Sequence, residues 1–286
     1  LIICITYGSN LKDMKEKFWN FLILARPFQW HKNIFVFAPI FFSFSFDTQN
    51  LMKVFLSFLS FVFISSSVYS INDVIDFEKD RVHPTKRNRP VASLKISKNE
   101  ALVFAFFLLF ISLIVSYFSS TLPVIILYFL LNILYSLFLK GAEPLGIFSV
   151  AFGFVLRVIA GGLASKITPS SWLITSTFFI SLFISSMKRE AEEREHSKIY
   201  EHIGVISATL TIIFYTLYII LERKSFFLLI SIIPVMFGII RYYIISEEHK
   251  GKDPSLLIVD YQILISVFLW ILIFLLYNIF PELEIY

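Results

Sequence analysis

Long apolar runs separated by polar breaks dominate the chain. Nine of them have helix length, at about 18–46, 51–71, 101–119, 122–139, 145–164, 171–187, 203–221, 226–245 and 256–280. An α-helix needs about 20 predominantly apolar residues to cross a bilayer. The first run is interrupted by Pro27 and by the polar Gln29, His31, Lys32 and Asn33, which leaves its 33–46 part short for a full crossing unless the segment before it contributes. The only long polar segments are 72–100 and 188–202, and no soluble domain or obvious repeat breaks the succession. The pattern predicts an all-α integral membrane protein with about nine transmembrane helices.

Composition agrees. Hydrophobic residues make up 57% of the 286 residues and charged residues 16%, with a mean hydropathy of +0.77. A soluble domain is about 25% charged. The single cysteine, Cys4, excludes an internal disulfide and a cysteine-based metal site, and His31, His83, His196, His202 and His249 show no ligand spacing. The net charge of +4 matters less than where the charges sit. With the amino terminus in the cytosol, the loops on that side hold about twenty Lys and Arg, against four (Lys53, Lys166, Arg223 and Lys224) on the other. The positive-inside rule therefore places the amino terminus and both long polar loops in the cytosol, with the protein multi-pass in the cell (inner) membrane. Met14 opens a stretch that reads like a natural amino terminus, so 1–13 are expected to be an extension and 14–286 a single transmembrane domain. No nucleic-acid partner is expected, and the oligomeric state is left open.

Chemistry concentrates where the second run ends. Continued as a helix, Asn72, Asp76 and Asp80 stack at i, i+4 and i+8 with Asp73 beside them. Carboxylates crowded on one face repel unless a cation sits among them, and hard oxygen ligands suit Mg²⁺, which commonly joins one or two carboxylates to a substrate's phosphates. The plainer alternative is an acidic helix end facing water. The basic stretch that follows favours the metal: Lys86, Arg87 and Arg89 lie between Pro84 and Pro90 in an expected extended loop, with guanidinium forks suited to a pyrophosphate. Lys95 and Lys98 read as topology charge.

Asn132, Ser136 and Lys140 share one face of the fourth predicted helix, flanked by Tyr135, and suggest a cavity wall; helix–helix hydrogen bonding would explain the first two equally well. Arg157 lies about 12 residues into its helix, roughly 18 Å deep. An arginine there costs about 2.5–3.5 kcal/mol on insertion scales, so it is expected to serve an anion or a structural ion pair. Gly153, Gly161 and Gly162 on that helix permit close packing. Lys188 and Arg189 stand at a membrane edge, at the start of a charged helix end running to Glu195. They are either a solvated extension with pairs such as Glu190 and Arg194 or a contact for an anionic headgroup.

Asn72, Asp73, Asp76 and Asp80 fill every position of NDxxDxxxD, and the chain resembles the UbiA superfamily of intramembrane prenyltransferases, whose motif this is. More narrowly, RPFQWHKN (26–33), NDVIDFEKDRVHPTKRNRP (72–90), YSLFLK (135–140), GFVLRVIAGG (153–162), KREAE (188–192) and RYY (241–243) look like the decaprenyl-phosphate phosphoribosyltransferase-like branch. The resemblance implies a nine-helix bundle around a central cavity open to the cytosolic side. It implies Mg²⁺-dependent transfer of phosphoribose from 5-phosphoribosyl diphosphate to a polyprenyl phosphate, with Asn72, Asp73, Asp76 and Asp80 holding the metal. Lys32, Arg81, Lys86, Arg87, Lys140 and Arg157 become candidates for the phosphates; Arg89, Asn132, Tyr135, Lys188 and Arg189 complete the expected substrate contacts.

Two departures stand out. Gly146 occupies a position where that branch usually has an aspartate, and the second aspartate-rich motif of aromatic prenyltransferases is replaced by 188–195. The latter weighs against a quinone-pathway enzyme. The lipid phosphate is already an anion, so no side chain is assigned as nucleophile or base. The alternatives are a prenyl-diphosphate transferase with an aromatic or glycerophosphate acceptor, and a transporter with an acidic cation site, for which no internal repeat is visible.

Overall fold

In the computed structural model, residues 2–192, 197–248, 260–280 and 282 are described, with the backbone alone for 2–13, 192 and 197. Among them every regular element is helical. In chain order these are α1 (Ile2–Ala25), α2 (Ala38–Ser43), α3 (Thr48–Ile75), α4 (Phe77–Val82), α5 (Lys98–Phe118), α6 (Leu122–Leu137), α7 (Leu145–Ser165), α8 (Ser171–Glu192), α9 (Ser197–Leu217), α10 (Ile232–Glu248) and α11 (Tyr261–Ile279). Six helical segments of the described residues are long and apolar enough to cross a membrane: Thr48–Ile75, Lys98–Phe118, Leu145–Ser165, Lys198–Arg223, Phe227–Glu248 and Tyr261–Ile279; Leu122–Leu137 is apolar but shorter. The protein is thus a multi-pass membrane protein, with a tally of six by this measure where the sequence pattern predicts about nine.

The first predicted helix is not one helix. α1 stops at Ala25 because a residue before proline is driven out of the α region. Arg26 takes a left-handed conformation (φ 53°), and the chain continues as a 3-10 segment, Pro27–Phe37, before α2. Elsewhere local chemistry sets the boundaries. Asp47 caps α3 through the Asn50 amide (3.2 Å), and Ser97 and Glu100 form a reciprocal capping box on α5. Asp260 caps α11 through the amides of Gln262 and Ile263 (3.0 and 3.2 Å). The last predicted helix begins only at Tyr261 here; 256–259, like 193–196 and His249, lie outside the described residues.

The chain divides into two compact units, Leu1–Gly141 with Leu156–Thr168, and Ala142–Val155 with Pro169–Tyr286. In the first, α3 is the central element. Its small residues let α5 approach closely: Ser60 and Ser112 each donate to the other's carbonyl (2.9 and 2.8 Å), and the Ser67 hydroxyl donates to the Ala105 carbonyl (2.8 Å). In lipid, where burial of apolar surface drives helices together weakly, such contacts and tight packing hold the pair. Val36, Ile40, Phe61, Ile64, Ile125 and Ala160 form the core around them. In the second unit Phe183, Met187, Ile239, Tyr242, Ile245 and Ile263 pack together. Large apolar side chains such as Phe106, Phe107 and Phe110 on α5 and Phe268 on α11 are exposed, as expected of surfaces that face lipid.

Candidate active site

The acidic motif begins in the last turn of α3. Asp73 is buried at 2% exposure, Asn72 and Asp76 are half-buried, and Asp80 on α4 is buried. Helical hydrogen bonding runs through the junction, from the Asp76 amide to the Asn72 carbonyl (2.8 Å) and from the Asp80 amide to the Asp76 carbonyl (2.9 Å). The single acidic row expected from i+4 spacing nevertheless does not form. Asp76 sits at φ −82°, ψ 2°, ending α3 and starting α4, and the side chains on either side of this turn find different partners. One Arg89 nitrogen (Nη1) donates to Asp73 Oδ1 (3.3 Å) and Asp80 Oδ2 (2.6 Å), so these two carboxylates are near enough to share one cation. Asp76 instead pairs with Lys140, and Asn72 accepts from the Ser136 hydroxyl.

Asp73 has a second partner, Arg26, which the residue pattern leaves unassigned although it lies in a stretch used for the resemblance. The guanidinium of Arg26 also rests over the Tyr69 ring (4.9 Å to the centroid). The available signal is an arginine directly before proline at the end of an apolar helix. The start of the 3-10 segment is tied to α3 as well: the Trp30 indole donates to Ser66 Oγ (3.0 Å), which donates to the Ala25 carbonyl (2.9 Å).

The remaining cations of the basic loop lie on α4 and in the turn after it. The loop is not wholly extended, because Lys86–Asn88 forms a 3-10 turn. His83 Nδ1 accepts from the Thr85 and Lys86 amides (3.3 Å each), folding the chain back. Lys86 is half-buried and Arg87 exposed, while Arg81 is exposed and sits over the Phe77 ring (5.4 Å), whose other close cation is Lys98 (3.8 Å). Lys32 is half-buried in the 3-10 segment.

The stripe on α6 is real and longer than expected. From Lys140, just past the helix, it runs through Ser136 and Asn132 to Tyr128 at i+4 steps, Ser136 donating to the Asn132 carbonyl (2.7 Å) and Asn132 to the Tyr128 carbonyl (2.8 Å). Tyr135 flanks it, half-buried. At its inner end stands Arg157, the deeply placed arginine of the sequence pattern. Arg157 is 4% exposed; its Nε donates to Asn33 Oδ1 (2.8 Å) and an Nη to the Tyr128 hydroxyl (3.0 Å), with the rings of Tyr128 and Phe61 over the guanidinium (4.8 and 5.3 Å). These neutral acceptors and π faces hold a charge at low dielectric. They tie the 3-10 segment, α6 and α7 together.

In the second unit α8 runs past the predicted end at 187. Lys188 is exposed and Arg189 half-buried, while Glu190 is buried at 3%; Arg194 lies outside the described residues. Gly146 opens α7 with its amide on the Ala142 carbonyl (3.1 Å). Arg241 donates from two nitrogens to Asp260 (3.3 and 3.0 Å), and the Tyr243 hydroxyl donates to Glu201 (2.8 Å).

Among the described residues, no group of three or more His, Cys, Asp or Glu is placed to hold a metal. Mg²⁺ bound through one or two carboxylates and substrate phosphates needs no such group. Asp73 and Asp80, already sharing one cationic nitrogen, fit that mode.

Comparison with known proteins gives a consistent answer. The UbiA prenyltransferase family profile matches residues 34–272. The decaprenyl-phosphate phosphoribosyltransferase of Mycolicibacterium smegmatis is 30% identical over 281 residues, covering 86% of this chain and 88% of that one. Its namesake in Corynebacterium glutamicum is 31% identical over 257 residues, covering 80% and 77%. Among solved structures, a UbiA homologue from Archaeoglobus fulgidus bound to GPP and Mg²⁺ has the same fold (TM-score 0.69, 18% identity, covering 90% of this chain and 98% of that one). An apo UbiA homologue from Aeropyrum pernix superposes equally well (TM-score 0.69, 13% identity, covering 88% and 98%).

Proposed function

The chain belongs to the UbiA prenyltransferase family and is a membrane transferase, and on that premise we propose that it moves 5-phosphoribose from 5-phosphoribosyl diphosphate to a polyprenyl phosphate, releasing pyrophosphate. The observation that carries the reading is the meeting of Asp73, Asp80 and Arg89 at one nitrogen, with Lys140 on Asp76 beside it. Groups suited to a metal and groups suited to the phosphates it escorts are in one place. The names of the relatives from Mycolicibacterium and Corynebacterium support this choice of donor and acceptor.

Asp73 and Asp80 would hold the divalent ion, with Asn72 and Asp76 on the adjoining turn. Mg²⁺ when bound neutralises charge on the departing diphosphate. Arg89, Lys86, Arg87 and Arg81 supply cations along the same loop, fixing the diphosphate so that its ribose C1 is presented to the acceptor. The C1–O bond to the diphosphate breaks with its electron pair leaving as pyrophosphate, and an oxygen of the lipid phosphate forms the new bond. That oxygen is already anionic, so positioning and charge stabilisation suffice and no general base is assigned. Arg157 supports the site by locking Asn33 and Tyr128, the latter at the foot of the α6 stripe. The reaction takes place at the cytosolic rim, with the prenyl chain remaining in lipid.

Purified protein in lipid nanodiscs, given Mg²⁺, labelled phosphoribosyl diphosphate and a polyprenyl phosphate, is expected to move label into the lipid. A second reading, transfer of a prenyl group from its diphosphate, is favoured by the geranyl diphosphate held in a structure of the same fold. Prenylation of an added aromatic or glycerophosphate acceptor, without ribose incorporation, is the result that selects it.

A further inference from the structure

Resting on the reading above, we infer that Arg89 is a displaceable cation that couples metal binding to diphosphate binding. It neutralises Asp73 and Asp80 until a divalent ion takes their oxygens, and it then turns to the diphosphate arriving with that ion.

The two guanidinium partners of Asp73 are built differently. Arg26 is fixed at its root by the left-handed turn before Pro27 and along its plane by the Tyr69 ring. Arg89, beyond its bonds to the two carboxylates, is fixed at its root. Its amide donates to the Lys86 carbonyl (3.0 Å), and its own carbonyl accepts from the Ser93 amide (2.9 Å) and hydroxyl (2.8 Å). Its side chain is 27% exposed, as much as that of Arg26 (26%), whereas the carboxylates it bridges are 2% and 6% exposed. The backbone stays in place, and the side chain has an open side toward which to swing.

A monovalent guanidinium and a divalent ion contend for the same two carboxylates, and the ion has the greater charge. Metal alone must therefore evict Arg89 into water, losing its charge-assisted contacts to two carboxylates. Metal with diphosphate evicts it onto phosphate oxygens, whose geometry suits the guanidinium fork. Each ligand then strengthens the other by the same factor, as linkage requires. The arrangement keeps the site from filling with metal in the absence of donor.

The test uses the full-length protein in nanodiscs and binding rather than turnover. Mn²⁺ affinity without diphosphate is read by electron paramagnetic resonance, and labelled inorganic pyrophosphate binding is read at saturating Mn²⁺. Arg89→Gln is expected to bind Mn²⁺ alone about tenfold more tightly than the parent protein, and pyrophosphate about tenfold more weakly. Arg89→Lys, which keeps the charge, stays within about threefold of the parent for Mn²⁺, and so does Lys86→Gln, which removes a loop charge not bridging the carboxylates. Mn²⁺ affinity unchanged in Arg89→Gln, or raised equally in Lys86→Gln, overturns the displacement while leaving the functional reading intact, provided the parent binds pyrophosphate with Mn²⁺. If no form of the protein binds pyrophosphate with Mn²⁺, the reading and the inference fall together.

Discussion

Asp73 is the most enclosed carboxylate of the acidic motif, and it is held from two sides by arginines. Arg26 occupies a left-handed conformation that costs a non-glycine residue roughly 1 kcal/mol. That cost is offset by the buried contact it makes possible. Replacing Arg26 with alanine leaves Asp73 with Arg89 alone, and should destabilise the fold by about 1–3 kcal/mol, the range for leaving a buried polar group short of a partner. Thermal unfolding in detergent measures this; a midpoint unchanged from the parent protein contradicts the role. Arg157 shows how far a single residue can be read. Its depth announced that it must be housed, but the housing is made of Asn33, Tyr128 and Phe61, which come from three other segments. Only packing reveals these partners.

At the scale of elements, α7 and the 3-10 segment meet through Gly161. A Cβ there would overlap the Val36 carbonyl, a backbone group that cannot move aside without dragging Pro27–Phe37 with it. Gly161→Ala is therefore expected to lower stability by about 1–3 kcal/mol, as overpacking does, and to disturb the segment carrying Lys32. A neutral effect on the unfolding midpoint would rule out that close approach.

In the second unit, hydrogen bonds from Arg241 hold the Asp260 carboxyl below its ordinary value of 3.8, with the Ile263 and Gln262 amides acting in the same direction. A carboxyl whose folded value is depressed stabilises the fold above its unfolded value. This contribution is lost as pH falls through the lower, folded value, so the effect belongs to the region below 3.8. Acid unfolding of Asp260→Asn should start from a lower stability near neutrality and show a shallower decline in that window. An acid profile parallel to that of the parent rejects the link.

The helices were legible where apolar length decides the matter, as in α3, α5 and α11. They were less so where one residue overrides the pattern: Arg26 before Pro27 cuts a 29-residue run into three pieces, and Asp76 turns the chain within an otherwise helical repeat. The identities of Asn72, Asp73, Asp76 and Asp80 could be read from spacing, but not their division between Arg89 and Lys140, because both cations reach back from later segments. Glu190 was hidden for a related reason: a mixed-charge helix end looks solvated until its neighbours are known.

For the whole molecule, the asymmetry of Lys and Arg makes a prediction about orientation. Thr85 and Lys166 are both exposed, one in the basic loop and the other at the end of α7. With Cys4 replaced by serine, a membrane-impermeant thiol reagent added to intact cells should label Lys166→Cys at once and Thr85→Cys only after permeabilisation. The opposite order inverts the topology and removes the proposed active face from the cytosol. Orientation matters to the proposed chemistry, in which a soluble sugar diphosphate would reach the acidic motif from the aqueous side and a lipid phosphate would arrive within the membrane plane.

The proposed transfer depends most on a carboxylate-held ion gripping a diphosphate. Titration calorimetry of the nanodisc-embedded protein with phosphoribosyl diphosphate, with and without Mg²⁺, tests this directly. Saturable binding that requires Mg²⁺ and is weakened by more than about a hundredfold in Asp73→Asn is the expected result. Binding of equal strength without Mg²⁺, or in a folded Asp73→Asn protein, contradicts it.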